Sequence, residues 1–214
     1  MKLGHVPLNE QLYFKIKQDI IDGKIELGQK LTNRELQKEY GVSSSPIRDA
    51  INRLYVDGIL EDISSSGAKV SSFELKYILD INETLGLICG AGVESAAKHT
   101  DQSEIYAHLK NILLEQEQAI CSDEFYRSDY LFHKVFFDYS QNLQFRNIYN
   151  KYHVLMEMIA RRIHVTGSSY PRPLSLKQHR KIFETYQAKN ISLAAELMRS
   201  HFLDASDFFR TNMC

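Results

Sequence analysis

The stretch from Thr32 to Val70 constrains this chain most, because its start, stop and turn signals spell helix, helix and hairpin in quick succession. Thr32-Asn33-Arg34-Glu35 is a capping box: the Thr hydroxyl accepts from the third helical N–H, Glu35 reaches back, and Gly41 closes the helix in a left-handed conformation. A second helix follows at once. Ser43-Ser44-Ser45 supplies its N-cap before Pro46, whose fixed φ and missing N–H suit the first helical position. Ile47, Ile51 and Leu54 then recur at helical spacing, which puts Arg48, Asn52 and Tyr55 on other faces, and Gly58 ends the run. Ile59 to Ile63 and Ala68 to Val70 read as two strands around Ser64-Ser65-Ser66-Gly67, a turn of residues small enough to lie close to a sugar-phosphate backbone. Upstream, Leu12, Ile16 and Ile20 form the stripe of a further helix that Gly23 ends, and Gly28 marks a tight turn before Leu31. Three helices and a β-hairpin wing in this order predict a winged helix-turn-helix, with DNA as the first partner to consider. On spacing alone, a protein-interaction module fits as well.

The first 73 of the 214 residues suffice for that head and leave 141, enough for a second domain with its own core. The 43% hydrophobic and 25% charged content is that of a globular chain. No apolar run reaches the roughly 18 residues of a membrane span, and the N-terminus lacks the apolar core of a signal peptide. Cys89, Cys121 and Cys214 are odd in number and without metal-type spacing, which favours reduced thiols in a cytoplasm over a disulfide framework. From Phe73 onward helical periodicity dominates, with helices expected near 74–99, 102–120, 124–139, 143–165, 175–189 and 191–210. Ser122-Asp123 and Asn142 are the expected N-caps, and Thr166 to Pro173 the clear loop. The fold class is therefore mainly α: a winged helix-turn-helix over residues 1–72 followed by an all-α bundle over 73–214.

Candidate chemistry lies inside the bundle. Asp129 and His133 fall one turn apart on the face that carries Phe125, Phe132 and Phe136. His179 shares a stripe with Leu176, Ile182, Phe183 and Tyr186, and His201 one with Ala194, Leu197, Ala205 and Phe208. A buried carboxylate without a partner is costly, and one cation would satisfy an Asp and several imidazoles together. Each group also has a plainer explanation, since an inward His often bonds a carbonyl and an i, i+4 Asp–His pair can bond within its helix. His5, His99, His108, His153 and His164 show no joint pattern. No Gly-rich phosphate loop, nucleophile motif or general base beside the candidate ligands points to an enzyme, although a metal with an open position would suit a hydrolase.

Residues 8–70 resemble the DNA-binding domain of the GntR family of bacterial transcription regulators, most specifically in Gly41-Val42-Ser43-Ser44-Ser45-Pro46-Ile47-Arg48-Asp49-Ala50-Ile51 and the downstream Asp57-Gly58. The second half resembles the FCD domain of the FadR-like subfamily. The matching residues are Asp129-x-x-x-His133, Ser140-x-Asn142, Ser175-Leu176-x-x-His179-x-x-Ile182, and Ala194-Ala195 to His201. The first resemblance implies a DNA face made by Arg34, Ser43, Ser44, Ser45, Arg48, Ser66 and Gly67. The second implies one divalent ion held by Asp129, His133, His179 and His201. Two departures matter. Ser44 stands where the family usually has a base-contacting Arg, so one contact worth about 1–3 kcal/mol is absent. Leu85 and Cys89 stand where an effector-binding Arg and a following Glu are usual, and Arg161, Arg162 and Arg172 read as solvated surface residues rather than replacements.

Charge adds little to the DNA reading, because residues 1–73 hold ten Lys or Arg and ten Asp or Glu. Any basic face is local, drawn from Arg34, Lys38, Arg48, Arg53 and Lys69, and a head with so few basic contacts needs a second copy to bind well. The combined expectation is a cytoplasmic homodimeric regulator of a palindromic operator, not an enzyme and without a membrane segment. It binds a metal, zinc first and nickel second, and an organic-acid effector of unknown site residues. Proton competition for three histidines is expected to weaken the metal below about pH 6.5. A metal-dependent hydrolase and a regulator sensing the metal itself are the alternatives.

Overall fold

The computed structural model describes residues 7–99, 101–140, 142–165 and 171–213. The N-terminal part runs α1 (Leu8–Ile21), β1 (Lys30–Thr32), α2 (Asn33–Tyr40), α3 (Ser44–Val56), β2 (Leu60–Ser64) and β3 (Gly67–Val70). Its core is the set that helical spacing selected: Ile16 and Ile20 of α1 and Ile47 and Leu54 of α3 are fully buried, joined by Ile59. The capping box at Thr32 is complete, and Gly41 takes the left-handed conformation that ends α2. Because Thr32 Oγ1 accepts from the Glu35 amide at 3.2 Å and bonds the Glu35 carboxylate at 2.7 Å, its loss leaves two helix-end groups to water. Thr32→Ala is therefore expected to lower unfolding free energy by about 1 kcal/mol, read as a shift in urea midpoint at constant m.

Three features differ from the sequence expectation. The hairpin is part of a three-stranded antiparallel sheet in the order β1-β3-β2, with Leu31 opposite Ala68 and Leu60 opposite Val70. Strand β1, three residues long, offers one apolar alternation and no strand signal of its own. Pro46 is the third residue of α3, not the first, and the Ser43 side chain makes no cap bond. That placement is tolerated because the first-turn N–H groups lack intrahelical partners anyway. Gly67 belongs to β3, where a Cβ would lie 1.9 Å from the Leu31 carbonyl oxygen, so the close approach of β1 excludes every other residue there.

The remaining elements are α4 (Leu75–Ala96), α5 (Gln102–Gln118), α6 (Glu124–Asp138), α7 (Leu143–Val165), α8 (Arg172–Gln187) and α9 (Ile191–Asn212). The chain divides into two compact units, the first including the end of α7 from Met158, the second holding α4 to α6, the rest of α7, α8 and α9. In the second unit α4 and α9 lie close together, since a Cβ on Gly86 would stand 3.0 Å from the Phe202 Cβ. The buried Asn82 amide donates to the Ser206 hydroxyl at 2.8 Å and to the Phe202 carbonyl, pinning the pair. Phe125, Phe132 and Phe136 of α6 and Tyr186 of α8 fill the core beside them. Helix α8 begins at Arg172, earlier than the expected 175, because Pro173 sits in its first turn, where a missing N–H costs nothing. Residues 166–170 of the expected loop lie outside the described residues. The Asp123 side chain makes no cap bond, whereas Asn142 Oδ1 accepts from the Gln144 amide at 3.0 Å. Among the described residues, no helix is long and apolar enough to cross a membrane.

Candidate metal centre and nucleic-acid interface

Three helices bring Asp129, His133, His179 and His201 together, with one donor atom from each within 4.8 Å of all the others. The apolar stripes explain the convergence: Phe132 and Phe136 turn α6 inward, Leu176 and Ile182 turn α8, and Met198 and Phe202 turn α9. His133, His179 and His201 are buried, and the Asp129 side chain keeps 20% of its surface. His179 Nε2 stands 3.8 Å from Asp129 Oδ1 and 3.3 Å from His201 Nε2, while His133 Nε2 stands 4.0 Å from Asp129 Oδ2. Ligand bonds of about 2.0–2.1 Å allow donor separations up to about 4.2 Å, so these pairs already fit a common ion and the widest, at 4.8 Å, must close by about 0.6 Å.

The hydrogen bonds behind the ligands fix where their lone pairs point. Gln116 Nε2 donates to Asp129 Oδ1 at 3.4 Å, and Gln178 Nε2 donates to the Asp204 carboxylate. Carboxylate oxygens accept, so each amide oxygen faces the other way: toward His179 Nδ1 and His201 Nδ1, both at 2.9 Å. Both Nδ1 atoms then carry the proton, and both Nε2 lone pairs meet at 3.3 Å. Two acceptors at that distance repel, and a cation between them removes the repulsion. Among the described residues, buried His133 Nδ1 has no hydrogen-bond partner. The four residues fit a borderline divalent ion better than calcium, since three of the donors are nitrogen.

Burial sets the protonation of the metal-free site. Desolvation lowers His201 to about 4 and holds His133 and His179 well below the usual imidazole value, with the neighbouring His201 adding to both. The same burial raises Asp129 to about 7, opposed by the Ser175 hydroxyl at 3.1 Å and reinforced by the Glu157 charge. With Asp129 raised and the three histidines lowered, the carboxyl is the group expected to compete with a metal near neutral pH, in place of the histidines expected from the sequence to compete below about pH 6.5.

Gln116, Gln178 and Ser175 were not among the sequence candidates. The available signal was Gln116 itself, a polar residue continuing the buried Ile105, Leu109, Leu113 stripe of α5. Leu85 and Cys89 are buried in α4 and bring no charge. Arg172 is not solvated: it is 7% exposed, donates to the Ser122 carbonyl at 3.0 Å, and lies 4.9 Å from the Tyr126 ring centroid. Arg162, in the first unit, bonds Glu26 at 2.5 Å and the Ile20 carbonyl, and Arg161 bonds Gln18 at 3.2 Å, so neither is a free surface cation.

On the winged helix, Arg34, Ser43, Ser45, Arg48 and Ser66 are exposed and Ser44 is half-buried. Arg53 is occupied, its guanidinium 3.9 Å from the Tyr13 ring centroid and 3.7 Å from Glu10, and Lys69 pairs with Glu61 at 2.6 Å. The local basic face therefore contracts to Arg34, Lys38 and Arg48. Gly67 is buried in the sheet, where β1 accounts for it.

A DNA-reading head joined to a helical domain with a ligand-type cluster is the organisation of a transcription regulator. Residues 8–70 match the bacterial regulatory proteins of the gntR family and residues 80–204 match the FCD domain, and the chain belongs to that family. It is 29% identical over 200 residues to the uncharacterized HTH-type transcriptional regulator YdhC of Bacillus subtilis, covering 92% of this chain and 88% of that protein. It is 23% identical over 212 residues to the HTH-type transcriptional repressor RspR of Escherichia coli, covering 95% and 90%. Among solved structures, E. coli McbR/YncC superposes with a TM-score of 0.74 at 16% identity over 98% of this chain and 100% of that one, which shows the shared fold. These relatives are transcriptional regulators, not enzymes.

Proposed function

We propose that this GntR-family regulator is a cytoplasmic homodimeric repressor whose operator binding answers to a metal and a small organic acid. A DNA-binding head over residues 1–72 reads a half-site of a palindrome through Arg34, Ser43, Ser44, Ser45, Arg48 and Ser66, with Gly67 shaping the wing. A domain over 73–214 holds one divalent ion, zinc first and nickel second, on Asp129, His133, His179 and His201. A metal held by these residues would supply an electrophilic centre able to take an effector carboxylate. The observation that carries this reading is the meeting of the His179 and His201 Nε2 lone pairs at 3.3 Å beside Asp129. An effector moves operator affinity only as far as it binds one conformation better than another.

The test combines elemental analysis of purified protein with operator titrations in metal buffers. About one metal per chain is expected, with operator affinity changing when metal and acid are varied. Protein that never takes up zinc, nickel, cobalt or manganese overturns the metal reading, and a monomer by light scattering with full operator affinity overturns the dimer. At the DNA face, Arg48→Ala is expected to lower operator affinity by about 1–3 kcal/mol while the far-ultraviolet spectrum stays unchanged. An unaltered gel-shift titration would remove Arg48 from the interface.

A further inference from the structure

We propose that Gln116 and Gln178 are positioning residues for the metal: each accepts from a histidine Nδ1–H and so keeps the opposite nitrogen, Nε2, free for the ion. The inference rests on the metal reading above and goes beyond it to the groups behind the ligands.

Gln116 is completely buried, on a helix face otherwise given to Leu109 and Leu113. Packing alone would be served by a third apolar residue, and a buried amide is costly unless both its ends are bonded. Here both ends meet proposed ligands. The nitrogen holds Asp129 Oδ1 at 3.4 Å and the oxygen holds His179 Nδ1 at 2.9 Å, so one side chain sets the spacing of a carboxylate and an imidazole that come from different helices. Gln178 does the same from α8 to α9 for one ligand. Its oxygen holds His201 Nδ1 at 2.9 Å, and its nitrogen is anchored by the exposed Asp204 carboxylate, one turn beyond His201. A neutral imidazole has two tautomers, and only the Nδ1–H form can bind through Nε2. Fixing that form in advance removes a rearrangement from metal uptake, and outer groups of this kind are worth about 10- to 100-fold in affinity. His133, whose Nδ1 has no such acceptor, is the ligand left unfixed.

The experiment uses the full-length protein, stripped of metal, with zinc affinity read by competition against a chromophoric chelator and coordination read by cobalt absorption. Gln116→Met and Gln178→Met keep side-chain length and remove both hydrogen bonds. Each is expected to weaken zinc about 10- to 100-fold and to alter the cobalt bands, with the metal-free melting temperature little changed for Gln178→Met, since Gln178 is only half-buried. Gln178→Glu combined with Asp204→Asn exchanges the roles along the chain, the new carboxylate accepting from both neighbours, and is expected to return most of the affinity lost in Gln178→Met. Wild-type zinc affinity in folded Met variants, or no recovery in the double variant, overturns the positioning role while leaving the metal site standing. A wild-type chain that binds neither zinc nor cobalt overturns both. If Gln116→Met fails to fold, the Gln178 pair decides.

Discussion

His179→Ala combined with His201→Ala is expected to lower zinc affinity more than about a thousandfold. A four-ligand zinc site of protein donors is worth about 10–16 kcal/mol near neutral pH, so removing two of four ligands forfeits about 5–8 kcal/mol. The loss exceeds a simple share, because these two imidazoles bring their Nε2 atoms within 3.3 Å of each other and both come already fixed in the binding tautomer. Asp129 and His133 would remain as an i, i+4 pair on one helix, too few donors to compete with buffer. The substitutions also open space in a core where His179 stacks on Phe132 at 4.0 Å, so a lower melting temperature is expected in the metal-free state. The decisive comparison is therefore the stabilisation on adding zinc: clear in the wild type, absent in the double variant. A double variant that keeps about one zinc per chain would show that the ligands lie elsewhere.

What the sequence disclosed follows from the range over which each signal acts. The Thr32–Glu35 capping box spans three residues and is present as read. The inward faces of α6 and α8 were legible because a 3.6-residue period repeats along each helix, whereas on α9 the expected Leu197, Ala205 and Phe208 are half-buried and the buried stripe is Met198, Phe202, Ser206 and Phe209; His201 lies inside either way, so the period brought the four candidate residues together. Strand β1 was not legible, since its register with β3 pairs Lys30 with Lys69, a contact set by the tertiary fold. Gly67 reads from sequence as a small turn residue on the DNA face, and the structure adds a constraint from far along the chain, the Leu31 carbonyl that a Cβ would meet. Arg172 shows the converse error. Arginine in an expected loop reads as solvated, and only the packing of Tyr126 and the Ser122 carbonyl around it reveals a buried guanidinium. The protonation state of the centre was likewise hidden, because desolvation depends on what covers a group and not on its neighbours in the chain.

That hidden state gives the second large effect, a fall in zinc affinity of about tenfold per pH unit below pH 7. A metal takes Asp129 as carboxylate and the histidines as neutral imidazoles, so every proton the metal-free site holds must leave. Burial raises the Asp129 carboxyl to about 7, so below that pH the folded metal-free protein carries one proton there. Burial lowers His201 to about 4 and keeps His133 and His179 well below the ordinary imidazole value, so from pH 7 to about 5 no imidazole proton need be displaced. At most one proton is released per metal, and the apparent association constant falls about 50-fold between pH 7, where Asp129 is half protonated, and pH 5. Three ordinary histidines titrating near 6.5 would instead give a plateau down to that pH and then a slope approaching three. Zinc titrations from pH 5 to 8 in non-coordinating buffers, with calorimetry in two buffers of different ionisation enthalpy to count the protons, separate the two cases. A slope near one that levels above pH 7 is expected, and Asp129→Asn, which carries no exchangeable carboxyl proton, should bind zinc more weakly at pH 8 with almost no pH dependence down to 5. A slope near three would mean that the imidazoles are as hydrated as those of an unfolded chain, contrary to their burial among Phe132, Phe202 and the Gln116 amide.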